Sequence, residues 1–296
     1  MQTIAAIRTN KWTEAESILL DALRPFFHDN IVVVFHNRPE NVLPPVPVID
    51  IDNAWVKAND LAAYGDWGWR CGDYFYYALR QVRPDYDYYW MIEPDVYFHG
   101  DARDFFSSFD QVQHDLLGVT PQKFKDEDHK FIATLTDLTP YRAIFALTRF
   151  SGPALDAMLP LRRKNCKRKV KKGQPANDEF FTFSNAYAEP SLTIGDITQF
   201  APSWFEKGYV HTNPDILLDV LQSDESLKGN VFHPVRTKES LKHALAIRMS
   251  NKTVFLRRMH ETLSAMDEQD MADILQIAQQ NLRDALMLQW KKARKK

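Results

Sequence analysis

The sequence predicts an α/β fold, a mostly parallel sheet with helices on both faces, and three observations predict it. Short β-branched or aromatic runs, Ile31–Phe35 and Tyr88–Ile92 among them, read as buried strands. These runs alternate along the chain with segments of helical pattern, the order that builds a largely parallel sheet covered by helices. The aromatic run then stops abruptly at Glu93-Pro94-Asp95. Proline has no N–H to give to a central ladder, so the strand must end near Glu93, with the carboxylates at its C-terminal edge.

Taken in order, Thr3–Ile7 is the first expected strand. Thr13 and Glu16 have the spacing of a capping box, so a helix is expected from there to about Leu23. Ile31–Phe35 is the second strand. The segment 41–47 carries three prolines and must be a loop, and Val48–Ile51 is a short strand. Trp67–Val82 reads as one helix closed by Pro84, directly before the aromatic strand. A helix over Asp101–Phe109, strands over Asp115–Val119 and Arg142–Thr148, and a helix opening at Ser151 or Gly152 follow. Asn177 is a good N-cap for a further helix. From about Thr237 the chain turns helical. Asp267–Trp290 is amphipathic, with Met271, Ile274, Leu275, Ala278, Leu282, Ala285 and Leu286 near helical spacing, and is expected to pack on the core or on another subunit. The basic tail 291–296 is expected to fray. Residues 1–236 thus form one expected domain and 237–296 a helical extension.

At 296 residues the chain has room for one large or two small domains, and 45% hydrophobic residues support an ordinary core. A net charge of −2 argues against a nucleic-acid binder. Two cysteines, Cys71 and Cys166, suggest a reducing compartment without a disulfide framework. The first residues turn polar too soon for a signal peptide. No apolar run reaches the roughly 18 residues that span a bilayer. The expectation is a cytoplasmic protein, or one held peripherally at the inner membrane surface.

In open α/β sheets, ligands bind at the C-terminal edge of the strands. Two acids beside so many aromatic rings are costly without a cation or hydrogen-bond partners, and a divalent metal that also carries a phosphate is the simplest partner. The Glu93-Pro94-Asp95 turn resembles the acidic, Asp-X-Asp-type metal motif of GT-A-fold glycosyltransferases. The run Tyr88–Val96 is similar to that of the fungal Golgi α-mannosyltransferases, which use GDP-mannose and manganese. A looser likeness, in the order of elements, runs from about Thr3 to about Arg236. It implies a GT-A-like nucleotide-diphospho-sugar transferase domain over 1–236. It also implies Mn2+ or Mg2+ as cofactor, a nucleotide-diphosphate sugar as donor, and a glycan or glycolipid as acceptor. The membrane anchor of the Golgi enzymes does not carry over.

In extended backbone Glu93 and Asp95 point to one side roughly 6–7 Å apart, long for two direct ligands of one ion. One carboxylate is then expected on the metal, the other acting through water, a turn or a sugar hydroxyl; the alternative is a solvated strand end. His233, in Asn230–Arg236, resembles the C-terminal histidine ligand of metal-dependent GT-A enzymes, with Arg236 and Lys238 toward the diphosphate; the alternative is a surface loop histidine. Asp178 and Glu179 stand at a helix start where such enzymes place a catalytic acid, although acids there also suit the helix dipole. Arg8 and Thr9 end the first strand, where the resemblance implies contact with nucleobase and ribose. Arg70 and Asp73 open the helix before the acidic strand and imply nucleotide contacts, or else an ordinary i,i+3 surface pair. The basic run 162–172 reads as a mobile loop, either a solvated face or a surface for an anionic partner such as a phosphorylated glycan acceptor or an acidic membrane. Trp67, Trp69 and Trp204 are candidates for stacking on a sugar or base.

A metal-dependent glycosyltransferase is the leading expectation. A sugar-nucleotide pyrophosphorylase needs a glycine-rich loop after the first strand, and Arg8–Trp12 has no glycine. A metal-independent glycosidase using Glu93 and Asp95 and a non-catalytic glycan-binding or assembly protein stay open. No G-x-G-x-x-G follows an expected strand, which disfavours a dinucleotide-binding dehydrogenase.

Overall fold

The computed structural model describes residues 1–126, 129–169, 174–249 and 264–293. The chain divides into two compact units, residues 1–210 with 229–232 and residues 211–228 with 233–296.

The first unit is built on seven strands: β1 (Thr3–Thr9), β2 (Ile31–His36), β3 (Val48–Ile51), β4 (Tyr88–Ile92), β6 (Leu116–Lys123), β7 (Tyr141–Ser151) and β8 (Ile194–Asp196). Their order is β3-β2-β1-β4-β7-β6-β8. β1 runs parallel to β2 and β4, β2 to β3 and β6 to β8; only β7 runs antiparallel, against β4 and β6. A small second sheet joins β5 (Tyr97–His99), β11 (Asn230–His233) and β9 (Tyr209–Val210).

Alternate residues of the central strands enter two cores. Ile4, Ala6, Val32, Val34, Tyr89 and Met91 pack with α4 (Gly72–Val82), α6 (Gly152–Cys166) and α7 (Asp178–Ala188). Ala5, Ile7, Val33, Phe35, Trp90 and Ile92 pack with α1 (Glu14–Phe27) and α5 (Ala102–Ser107). The mixed α/β fold with a mostly parallel sheet and helices on both faces is as expected, and burial on both faces is the reason β4 and most of β2 read as unbroken apolar runs. At the start of α1, the Glu16 carboxylate accepts from the Thr13 N–H at 2.8 Å, closing the expected capping box.

Two local expectations are corrected. The single helix over 67–82 is two, α3 (Trp67–Arg70) and α4, broken at Cys71. The basic run does not begin as a loop. Arg162 to Cys166 belong to α6, and Arg162 is wholly buried. Its Nε and Nη2 donate to the two Asp73 oxygens, each at 2.6 Å, and Nη1 donates to the Ala176 carbonyl at 2.8 Å. Burial works against that charge, but Asp73 outweighs it and the guanidinium pKa rises. Residues 170–172 of the run, and 294–296 of the tail, lie outside the described residues.

The second unit contains a two-stranded parallel sheet, β10 (Ile216–Leu217) with β12 (Val235–Arg236). It also holds helices α9 (Leu218–Ser223), α10 (Lys238–Met249) and α11 (Glu268–Ala293). Leu217, Leu241, Leu245, Ala246 and Ile274 form its core. Lys242 crosses from α10 to Asp270 and Asp273 of α11 at 2.9 and 3.0 Å. Among the described residues no helix is long and apolar enough to cross a membrane.

The Arg162–Asp73 pair generates the first prediction. Asp73→Ala leaves a buried cation without its anion and should lower the unfolding free energy by about 3–5 kcal/mol in denaturant titrations. A loss below about 1 kcal/mol would show that Arg162 escapes to solvent.

Candidate functional site

The site is assembled where β4 ends. The Glu93 N–H still donates to the Ala146 carbonyl of β7 at 2.9 Å, as a last rung of the ladder. Pro94 cannot donate, and the chain turns: the Val96 N–H donates back to the Glu93 carbonyl at 3.0 Å. This turn replaces the extended geometry that would hold the two carboxylates roughly 6–7 Å apart. One carboxylate oxygen of Glu93 and one of Asp95 lie within 4.8 Å of each other. Ligands of a single hard cation sit about 2.0–2.6 Å from it, so atoms this close can share one ion.

His233 owes its position to β11. That strand runs antiparallel to β5, with Val231 opposite Phe98 and Phe232 opposite Tyr97. The next residue, His233, ends β11 and is the point at which the chain passes into the second unit. Its Nδ1 lies 2.7 Å from the His211 carbonyl. A proton on Nδ1 donated to that carbonyl leaves Nε2 unprotonated, the tautomer found in histidines that bind metals through Nε2.

Behind the turn stands Arg8, near the C-terminal end of β1, 6% exposed. Nη1 donates to Glu93 Oε1 at 2.9 Å and to Asp178 Oδ2 at 3.1 Å. Nη2 donates to the carbonyls of Gly68 at 3.1 Å and Trp69 at 2.6 Å. The guanidinium carbon lies 4.9 Å from the centre of the Phe75 ring. Burial opposes the charge, but Glu93 and Asp178 outweigh it and the pKa of Arg8 is raised. Space for this contact requires glycine at position 72, since a Cβ there would stand 2.0 Å from Arg8 Nη1 and 2.6 Å from Asp178 Oδ2.

The two acids at the start of α7 separate. Asp178 is buried and spoken for: Oδ2 also accepts from the Gly72 N–H at 2.7 Å, and Oδ1 from the Glu179 N–H at 2.9 Å. Burial, then Asp73 and Glu93, push its pKa up to about 6 against the pull of Arg8. Burial is the larger effect, and one guanidinium shared by two carboxylates leaves negative charge in excess, so the ion pair does not depress Asp178. Glu179 keeps part of its side chain open to solvent. Crowding by protein first, and then Asp178, push its carboxyl up to about 8.

The other candidate residues lie as follows. The Thr9 hydroxyl is 2.7 Å from Glu16 Oε1 and from the Lys11 carbonyl, a buried turn contact. Arg70 pairs with Asp66 at 3.0 Å and Asp73 with Arg162, so the i,i+3 pair of Arg70 with Asp73 does not form. Asp73 is 1% exposed, with both oxygens engaged. Arg236, in the second unit, donates from Nε to Asp215 Oδ1 at 2.6 Å. Trp67 and Trp204 are core residues, whereas Trp69 is exposed. Sequence reasoning missed Gly72, and the one available signal was a glycine inside a segment read as continuous helix.

No family model matches the chain, and no curated protein matches it. Solved structures that are similar include mouse xyloside xylosyltransferase 1 in its apo form, at 13% identity over 78% of this chain and 97% of that one, with a TM-score of 0.40. A putative glucose-1-phosphate thymidylyltransferase from Bacillus anthracis is similar at 10% identity over 66% and 86%, TM-score 0.38. A glycosyltransferase involved in glycosylation of the major capsid of PBCV-1 is similar at 7% identity over 78% and 92%, TM-score 0.37. At that level of likeness neither an activity nor a ligand passes to this chain.

The acids of α7 make stability depend on pH. Between the ordinary glutamic acid value of 4.5 and about 8, folded Glu179 holds a proton that the unfolded chain has released. Stability therefore falls as pH rises through that interval. Glu179→Gln should flatten the decline in melting temperature between pH 5 and pH 9; each 1 kcal/mol removed corresponds to about 2–4 °C in a domain of this size. Superimposable parent and variant pH profiles would mean that solvent keeps the carboxyl near its ordinary value.

Proposed function

We propose that the protein is a metal-dependent glycosyltransferase of the GT-A type. It moves a sugar from a nucleotide-diphosphate donor to a hydroxyl acceptor on a glycan or glycolipid. The observation that carries this reading is the pair of carboxylates, Glu93 and Asp95, turned toward each other at the C-terminal end of a central strand. These carboxylates would hold Mn2+ or Mg2+, with His233 as the histidine ligand that the resemblance implies. The bound ion supplies positive charge to offset the departing nucleotide diphosphate.

The chain's own residues have separable parts in this reading. Arg8 orients Glu93 from behind by its 2.9 Å bond, and Asp178 fixes Arg8 in turn. Both are positioning residues. Glu179, partly exposed beside them, is the carboxyl that would meet an acceptor hydroxyl. A carboxyl whose pKa lies near neutrality is suited to proton transfer there. The first unit's α/β body is the proposed catalytic domain. The cytoplasmic or membrane-peripheral setting is proposed along with it.

A thermal-shift screen of nucleotide-diphosphate sugars with and without Mn2+ tests the reading. At a hundredfold excess over its dissociation constant, a ligand specific for the folded state adds about 2.7 kcal/mol of stability. The parent should be stabilised only when metal and nucleotide sugar are present together. Asp95→Ala should abolish that stabilisation and His233→Ala should weaken it at least tenfold in metal concentration, while both retain the parental melting curve without ligands. Undiminished, chelator-resistant binding by Asp95→Ala would sink the proposal. In a transfer assay, Glu179→Gln should keep donor binding and lower turnover by roughly 10²-fold; parental turnover would remove Glu179 from the reaction.

A further inference from the structure

The last helix of the second unit carries more apolar surface than its own unit covers. α11 is 26 residues long, and its first half is anchored. Ile274 is fully buried in the core with Leu241, Leu245 and Ala246 of α10, and Lys242 of α10 binds Asp270 and Asp273. Met271, Ile277 and Ala278 pack at the edge of that core. Among the described residues, no position after Ala278 enters an apolar core. Leu275 and Leu282 stand 50% and 51% exposed. One residue advances about 100° round a helix, so Leu275 lies on the flank beside the one that Ile274 turns toward α10.

The spacing of this flank selects what covers it. Leu275, Ala278, Leu282 and Ala285 follow at intervals of three, four and three, the a/d seam of two paired helices. A second copy of α11 fits that seam. Laid antiparallel about a two-fold axis near position 280, it sets Leu275 against Ala285 and Ala278 against Leu282, twice over. Every layer then holds one large and one small side chain. A parallel copy would stack leucine on leucine and alanine on alanine. Residues beside a two-fold axis meet their own copies, where a charge would repel itself. Gln279, Gln280 and Asn281 are neutral amides.

The two ends of the helix carry opposite charge. Asp267 and Glu268 are exposed at its start, and Lys291 and Lys292 stand in its last turn. The antiparallel register places position 268 opposite position 292, so acid faces base at both ends of the pair. A parallel register would set acid against acid and base against base. Antiparallel helices also bring the positive end of each macrodipole beside the negative end of the other.

We infer that this flank of α11 joins two copies of the chain in an antiparallel, two-fold symmetric dimer. The inference is independent of the glycosyl-transfer reading.

Sedimentation velocity of the full chain over a concentration series tests it, with three variants. These are Leu282→Glu, Glu268→Lys, and Glu268→Lys combined with Lys291→Glu and Lys292→Glu. The parent should reach twice the chain mass. Leu282→Glu should raise the dimer dissociation constant at least tenfold, about 1.4 kcal/mol. Glu268→Lys should also weaken the dimer, most strongly at low salt, where exposed charges are least screened. The combined reversal should restore the parental constant. Circular dichroism should be unchanged in Leu282→Glu, because the side chain is half exposed; if helix content falls there, the charge reversal decides alone. A parent that is monomeric at every concentration overturns the inference, and so does a dimer indifferent to Leu282→Glu. A Glu268→Lys variant that dimerises like the parent, or a loss that the combined reversal does not recover, overturns the antiparallel register. A monomeric parent that binds anionic vesicles through Leu282 overturns the inference as well, by giving the flank to a membrane.

Discussion

One buried guanidinium organises the edge of the sheet on which the candidate site stands. Arg8 lies at the C-terminal end of β1 and bonds at once to the turn after β4, the start of α7 and the last carbonyls of α3. Removing a cation of this kind from water costs several kcal/mol and is repaid only if its donors and countercharges are well satisfied. Here they are, and the requirement propagates outward. Position 72 must be glycine so that Arg8 and Asp178 can meet, and α4 starts there with the Gly72 N–H donating to Asp178. α4 thus begins with its first free amide capped by a carboxylate from another helix, favourable for the dipole as well as for the bond.

The sheet supplies a frame rigid enough for this. Every residue of β4 is buried, and its alternate side chains enter two different cores. A strand committed on both faces cannot slip by one residue without exchanging its two sets of side chains. The position of Glu93 is therefore fixed by packing, and Pro94 then forces the chain out of the ladder at that point. Asp95 and β5 follow directly, so the turn and the small β5–β11 ladder share one origin. Chemistry at the edge inherits its placement from the core behind it.

Arg162 and Asp73 repeat the same physics without any sign of a ligand. Their bidentate pair is fully buried, with the Ala176 carbonyl as third partner. Two buried arginines thus flank the start of α4, one bound to the acids at the sheet edge and one inside the body. The difference decides how each is read: Arg8 touches groups that reach solvent, such as Glu93 with a side chain 29% exposed, whereas Arg162 and its partner are 0% and 2% exposed.

Much of the fold was legible in the sequence because its causes are local. Apolar runs of strand length, a capping box at Thr13 and Glu16, and the inability of Pro94 to donate a hydrogen bond act over a few residues each. They locate β1, β2, β3, β4 and α1 without reference to anything distant. The Glu93-Pro94-Asp95 motif was legible for the same reason, but the extended spacing assigned to it was not, since a turn closed by Val96 brings donor atoms together. The partners of Arg8 lie 85 and 170 positions away, and Asp73 is 89 positions from Arg162. Nothing in a neighbouring sequence distinguishes Arg162 from the solvated lysines beside it, or exposed Trp69 from buried Trp67. Burial and electrostatic pairing depend on distance through space, so the sequence by itself determined where the strands run and where the acidic strand stops, and the tertiary structure alone decided which charges are sealed in pairs and which groups remain open to a ligand.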